Sequence, residues 1–204
     1  YPDCMLFLAT VTVAFLMKFF KVIGARFKIF LNKLVIYVLL PVFVFEKISQ
    51  LKVGDSQIQI GFSMWIVFFV GLIFFRALAY FKKYSQKKWV SMWITSSLGN
   101  TAFIGFPLIS FFLGESALPH AVVIDQVGTF LLLSVFAYPV ILWVSSSVRH
   151  RLVWTVAKRM LIFPPFIAFV LGAGANFSGF TFGLGPLVWL TRLLPFATLF
   201  LVGM

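Results

Sequence analysis

The chain has 204 residues, of which 62% are hydrophobic and only 11% are charged. So few charges could not cover a soluble domain of this length, so the composition predicts a polytopic membrane protein. The net charge of +12 raises the alternative of a nucleic-acid-binding protein. The lysines and arginines stand in short clusters between apolar segments rather than on one basic face, which argues against that class.

Seven apolar segments follow one another along the chain, and several reach the roughly 20 residues that a helix needs to cross a bilayer. Short alternating strands with turn signals are absent, so we expect helices rather than a barrel. The second and sixth segments are short, and we expect their helices to extend into flanking polar residues. The segments run over Leu6–Ile23, Leu34–Ile48, Ile58–Tyr80, Trp89–Leu113, Pro119–Ser145, Met160–Ala175 and Pro186–Met204.

The connectors between these segments alternate strictly in basic charge. The first, third and fifth are rich in lysine and arginine, whereas the second, fourth and sixth are poor in them. The positive-inside rule then places the basic connectors in the cytoplasm and the N-terminus outside. Asn32 falls in the first basic connector and is interpreted as a loop residue, and Glu46 is interpreted as an interfacial charge at a helix end.

An internal similarity predicts inverted repeats within one transmembrane domain that covers residues 1–204. "LLPVFVF" at Leu39–Phe45 resembles "LLPFATLF" at Leu193–Phe200, and the predicted topology gives the two helices opposite directions. We therefore expect a first repeat of five helices over about residues 1–148 and the start of a second over about 149–204. The counterpart of Asn100 would fall near position 254, so we expect a parent protein of about ten helices.

The fourth segment carries residues that interrupt a membrane helix. Gly99 and Gly105 lower helix propensity, and Pro107 removes a backbone donor, while Asn100 and Thr101 are polar near the bilayer midplane. Unpaired backbone is tolerated at that depth only where it is buried or lines a watery cavity. The pattern predicts a broken helix that binds a substrate, with the proline at the start of the outer half-helix. The alternative is a proline-kinked helix packed among its neighbours.

The fifth segment contains "VIDQVGTF", in which Asp125 is the only carboxylate well inside an apolar run. Acids within the membrane are costly and are usually functional, so Asp125 is a candidate for carrying a proton or a cation. Its neighbour Gln126 is a candidate for hydrogen bonding to a substrate. The alternative is an interfacial acid that faces outer water.

Enzyme signatures are absent from the sequence. One cysteine and two distant histidines offer no metal-ligand spacing, and no phosphate-binding loop or nucleophile set is present. We therefore expect no catalytic activity, no metal and no cofactor.

The motifs resemble those of the auxin efflux carrier family. "LNKLVIYVLLPVFVFEKIS" resembles its second helix, and "LGNTAFIGFPLI" resembles its crossover motif, with "AVVIDQVGTF" and "FPPFIAFVLG" similar to its fifth and sixth helices. Ala102 stands where the family commonly has a glycine after Asn–Thr. The short connectors resemble microbial members, which are usually described as permeases for malate or related organic acids.

This resemblance implies a ten-helix inverted-repeat fold like that of bile-acid symporters and sodium/proton antiporters, with a crossover of the fourth and ninth helices. It implies that Asn100 and Thr101 belong to the substrate site, with Pro107 as the crossover proline. It also implies that Asp125 and Gln126 form the polar pair of the fifth helix. Gly99 and Gly105 join the predicted substrate site through their place in the same motif.

The sequence therefore predicts a secondary transporter for small organic anions, such as dicarboxylates or auxin-like carboxylates, that works by alternating access around the broken helix. The alternatives are a cation/proton antiporter that uses Asp125, or a non-transporting sensor or membrane anchor. The expected partners are the anion, a proton or sodium ion, the lipid bilayer and a second copy in a homodimer, with no nucleic acid. The expected location is the bacterial inner (plasma) membrane.

Overall fold

The structure, a computed structural model, describes residues 2–21, 24–51, 55–145, 158, 162–178, 185 and 188–204. Throughout these residues the regular secondary structure is helical, and seven helices correspond one to one with the seven apolar segments. They are α1 (Pro2–Phe19), α2 (Ala25–Ser49), α3 (Asp55–Lys82), α4 (Gln86–Leu113), α5 (Glu115–Ser145), α6 (Pro164–Phe177) and α7 (Val188–Gly203).

Four of these helices are long and apolar enough to cross a membrane, judged by length and composition. They are α2, α3, α4 and α5, while α1, α6 and α7 contribute shorter apolar helices within the described residues. The prediction of helical membrane segments is confirmed for these four. The orientation across the membrane and the division into repeats stay predictions.

Helix α2 begins at Ala25, nine positions before the apolar run that marked it in the sequence. Asn32 therefore lies within a helix, and its interpretation as a loop residue was wrong. The first turns carry Lys28 and Lys33 on exposed positions. These first turns of α2 are helical although they are not apolar. Long lysine side chains can place their charged groups in water at the membrane interface while their backbone stays helical.

Three of the helices contain a turn of π-helix that ends two residues before a proline. A proline has no N–H group, and its ring collides with the carbonyl four residues earlier. The residue before each proline instead donates to the carbonyl five residues back, which widens the helix and makes room for the ring. The turns and their prolines are Val35–Leu39 with Pro41, Thr101–Gly105 with Pro107, and Leu133–Ala137 with Pro139.

The chain divides into two compact units. Unit 1 comprises Tyr1–Val53, Asn100–Val122 and Pro164–Met204, and unit 2 comprises Gly54–Gly99 and Val123–Phe163. The division passes through α4 between its two halves and through α5 just before its central π-helical segment. Each unit therefore contains one part of α4 and one part of α5.

Unit 1 is built on the close packing of α6 against α2. A Cβ atom at Gly172 of α6 would lie 3.1 Å from the Phe45 carbonyl oxygen, so a larger residue there would require the two helices to shift by a few tenths of an ångström. One turn later, the Nδ2 group of Asn176 lies 3.1 Å from the carbonyl oxygens of both Ile48 and Ser49. It also contacts the carbonyl oxygen of Leu51. The side chain thus adds a donor for carbonyls at the end of α2, of which that of Ile48 also accepts from the Leu51 N–H at 3.2 Å.

Replacing Asn176 by aspartate is expected to destabilise the protein by about 1–3 kcal/mol, because the isosteric carboxylate cannot donate to these carbonyls. Thermal unfolding of the full-length protein in detergent measures the change. Ser178→Ala is the control, since Ser178 is exposed and donates only to the carbonyl of Ala175 in its own turn. Equal stability of the Asn176→Asp and Ser178→Ala variants would contradict the capping role.

Unit 2 packs α3 against the first half of α4 and the second half of α5. Phe68 is fully buried and its ring lies 4.6 Å from that of Trp93, whose Nε1 donates to the Phe68 carbonyl at 2.9 Å. Small residues allow α3 and α5 to approach closely. A Cβ atom at Gly128 would lie 2.9 Å from the Cβ of Met64, and one at Gly61 would lie 3.1 Å from a methyl carbon of Val123.

Candidate functional site

Helix α4 is interrupted at Leu98–Asn100, three residues without helical structure that we call the break. The first half ends at Ser97, where the Leu98 N–H donates to the Ile94 carbonyl at 3.1 Å. Leu98 is extended, with φ −116° and ψ 117°, and Asn100 has φ −86° and ψ 75°. The prediction of a broken fourth helix is confirmed, because a kinked helix would keep a helical backbone through the bend, whereas Leu98–Asn100 are not helical.

Asn100 starts the second half of α4. Its Oδ1 atom accepts from the Phe103 N–H at 3.2 Å, which is the bond of a helix N-cap. Its main-chain carbonyl accepts from the N–H groups of Ile104 and Gly105 at 3.2 and 3.1 Å. The side-chain Nδ2 group donates to nothing in the described part of the chain, and the residue is exposed. Asn100 thus presents a spare amide donor at a helix N-terminus, where backbone dipoles favour negative charge.

The second half of α4 begins with Thr101, six residues before Pro107. The sequence placed this proline at the first position of the outer half-helix. Pro107 does lie at the start of the α-helical part, Phe106–Leu113, but a π-helical turn over Thr101–Gly105 comes before it. Pro107 is buried.

A cavity of about 380 Å³ lies beside the break, within unit 1. Asn100 and Phe103 line it from the second half of α4. The remaining lining residues come from α2 and α7, and they are Lys28, Ile29, Asn32, Leu201 and Val202. The cavity therefore combines an amide from the break with an ammonium group and a second amide from α2.

Lys28 and Asn32 were not assigned to the site from the sequence. Asn32 comes four positions after Lys28, so the two lie on one face of α2, one turn apart. The spacing of Lys28 and Asn32 can be seen in the sequence. It was not taken as a sign of a binding site, because basic residues near a membrane helix are ordinarily explained by the positive-inside rule.

The two glycines of the predicted site have no steric requirement in this conformation. A Cβ atom at Gly99 would meet nothing within 4 Å, and one at Gly105 would make only ordinary contacts, the nearest being 3.8 Å from the Thr101 Cβ. Neither lies in the lining of the cavity. Of the predicted substrate residues, the structure places only Asn100 at the cavity, and the roles of the others stay predictions.

Asp125 and Gln126 lie in unit 2, in the π-helical segment Ile124–Phe130 of α5. Asp125 is 7% exposed and Gln126 is 1% exposed, which argues against an acid that faces outer water. The Gln126 Nε2 donates to the Asp125 Oδ2 at 2.7 Å. The Gln126 Oε1 and the Thr129 Oγ1 are buried and have no hydrogen-bond partner in the described structure. We call Asp125, Gln126 and Thr129 the polar cluster.

Helix α3 contacts the π-helical segment that carries the polar cluster. Trp65 donates through its Nε1 to the Val127 carbonyl at 2.9 Å, and Gly128 packs directly on Met64. Thr129 was not assigned from the sequence, since a threonine in an apolar helix gives no signal of its own.

Glu46 is also buried, at 6% exposure, three residues before the end of α2, and its place at the membrane interface stays a prediction. Lys47 lies 3.5 Å from it and 3.0 Å from Glu115, so the lysine is shared by two carboxylates. Within the described residues, no group of three or more His, Cys, Asp or Glu side chains could hold a metal ion.

Comparison with known proteins bears directly on this geometry. A family profile described as membrane transport protein matches residues 3–143, which is well over half of the chain. The chain belongs to this membrane transport family. The family is auxin efflux carrier-like, so the resemblance read from the motifs of the second, fourth and fifth helices is confirmed. The match also confirms the all-α polytopic membrane fold class.

One curated transporter is similar to this chain in sequence. The uncharacterized transporter MJ1031 of Methanocaldococcus jannaschii is 30% identical over 178 residues, which cover 85% of this chain and 56% of that protein. The chain thus spans little more than half the length of the relative it matches. No solved structure matches the chain. The protein is an integral membrane protein of a transport family, and this class is generally non-enzymatic.

Proposed function

We propose that the full-length protein is a secondary carrier of small organic anions that binds its substrate in the cavity beside the break. The observation that carries the proposal is the presence of Asn100 in the lining of that cavity, with an amide group that donates to none of the described residues. A carboxylate can accept from this amide and lie at the partially positive end of a half-helix. A volume of about 380 Å³ suits a small metabolite.

Alternating access is supported by where the chain passes between its two compact units. One passage falls at the break, between Gly99 and Asn100, where the backbone is not helical. A short non-helical segment can absorb the dihedral changes that a rigid-body motion requires. We propose that substrate passage uses such a motion, driven by an ion gradient or by the substrate's own gradient.

Transport by the purified full-length protein in lipid vesicles tests the proposal. We expect saturable uptake of a labelled dicarboxylate or indole-type carboxylate, and exchange of internal for external substrate. Vesicles that carry the Asn100→Ala variant serve as the matched control. Binding without flux would favour a sensor or anchor, and uptake that does not depend on Asn100 would remove the proposed site.

The polar cluster favours a second candidate function, that of a cation/proton antiporter. Within the anion carrier, the same cluster could instead bind the coupling ion. A buried carboxylate beside two unpartnered oxygen atoms offers the hard oxygen ligands that a sodium ion prefers, or a place for a proton. Ion exchange measured with a pH-sensitive dye in the same vesicles, without any organic anion, separates the antiporter from the coupled carrier.

Replacing Asp125 by asparagine is expected to remove or shift the pH dependence of transport, because the isosteric amide cannot take up a proton. The measurement is initial uptake as a function of external pH. Glu115→Gln is the control, since Glu115 is exposed and lies outside the polar cluster. If the Asp125→Asn variant kept the wild-type pH profile, Asp125 would not be the coupling group.

A further inference from the structure

Lys28 occupies a distinctive place, because its side chain lines two neighbouring cavities. The larger is the cavity beside the break, and the smaller, of about 190 Å³, is also lined by Lys18, Gly24, Ala25 and Met204. Lys28 is therefore the residue that the two linings have in common, and it places a positive charge beside the cavity that contains Asn100.

Among the described residues, no acid lies beside this positive charge. Neither cavity has an aspartate or glutamate among the described residues of its lining. Both ion pairs found in the described residues belong to Lys47, so Lys18 and Lys28 form none there. Unpaired positive charge in a recess attracts small anions and raises their local concentration.

We propose that Lys28 is a specificity-determining residue that pairs with the charge of the anionic substrate in the cavity beside the break. The inference rests on the proposed function and adds a second anchor to it. One carboxylate of the substrate accepts from the amide of Asn100, and Lys28 contacts a second anionic group. Lys18 in the smaller cavity attracts the anion toward this position.

The position of Lys28 distinguishes it from the other lysine of α2. Lys33 is exposed on the same helix but lines neither cavity. Lys33 comes five positions after Lys28, and the rotation of the helix over five positions turns Lys33 well away from the face that carries Lys28 and Asn32. Lys33→Gln therefore removes an equal charge from the same helix without touching the cavity, and it serves as the matched control.

Uptake of labelled succinate and of labelled acetate by the full-length protein in vesicles tests the proposal. Lys28→Gln is expected to raise KM for succinate by about three- to tenfold and to change KM for acetate much less. Lys28→Arg should keep most of the wild-type affinity, and Lys33→Gln should resemble the wild type. Wild-type KM for succinate should also rise with ionic strength, and this rise should be smaller in Lys28→Gln, which keeps Lys18.

The outcomes separate this inference from the proposed function. If uptake is insensitive to Asn100, the proposed binding site is wrong. If uptake depends on Asn100 while Lys28→Gln and wild type share the same KM at every ionic strength, only the role of Lys28 is overturned. Should Lys28→Gln fail to fold, Lys28→Arg and the salt dependence of the wild type decide: a KM for succinate that is indifferent to salt overturns the role.

Discussion

Substitution of Asn100 by alanine is expected to lower uptake by about ten- to a hundredfold in the full-length carrier. A hydrogen bond to a charged group is worth about 1.5–3 kcal/mol, and each 1.4 kcal/mol corresponds to a factor of ten. The same change removes the N-cap bond to the Phe103 N–H, which costs about 1 kcal/mol of stability. This loss is small enough that the variant should fold.

Two further substitutions separate capping from substrate binding. Asn100→Ser keeps a side-chain oxygen that can cap the half-helix, but it has no amide donor, so we expect near-normal thermal stability with low uptake. Asn100→Asp also keeps the cap, and it adds a negative charge where the substrate carboxylate would lie. We expect this variant to be folded and inactive, and wild-type uptake by either one would contradict the assignment.

Substitution of Gly128 by valine is expected to destabilise the protein by about 1–3 kcal/mol, the usual effect of overpacking. A Cβ atom there would lie 2.9 Å from the Met64 Cβ and 3.2 Å from the Gly61 carbonyl oxygen, so α3 and α5 must separate. Gly128 lies in the π-helical segment that holds Asp125 and Gln126, so the same displacement should disturb the polar cluster.

The matched control is Gly174→Val on α6. This glycine is also helical, yet a Cβ atom there would meet nothing within 4 Å. Thermal unfolding in one detergent compares the two valine variants directly. A smaller loss of stability at position 128 than at position 174 would mean that α3 and α5 do not pack as closely as the structure shows.

The break in α4 could be predicted because its causes are local. An asparagine caps a helix with its own side chain, and a proline cannot donate, whatever surrounds them. The π-helical turns have the same local cause in Pro41, Pro107 and Pro139, but they were not predicted. A proline in an apolar segment indicates an interruption, whereas a helix can also widen by one residue and continue.

The sequence by itself determined that this is a helical membrane protein, where its helices lie, and that the fourth is broken beside Asn100. These features follow from apolar run length and from backbone chemistry, which act over a few neighbouring residues. Only the tertiary structure decided that Lys28 and Asn32 share a cavity with Asn100, and that Asp125 and Glu46 are buried. Those facts depend on helices distant in sequence meeting in space, and no local pattern records which faces they present to one another.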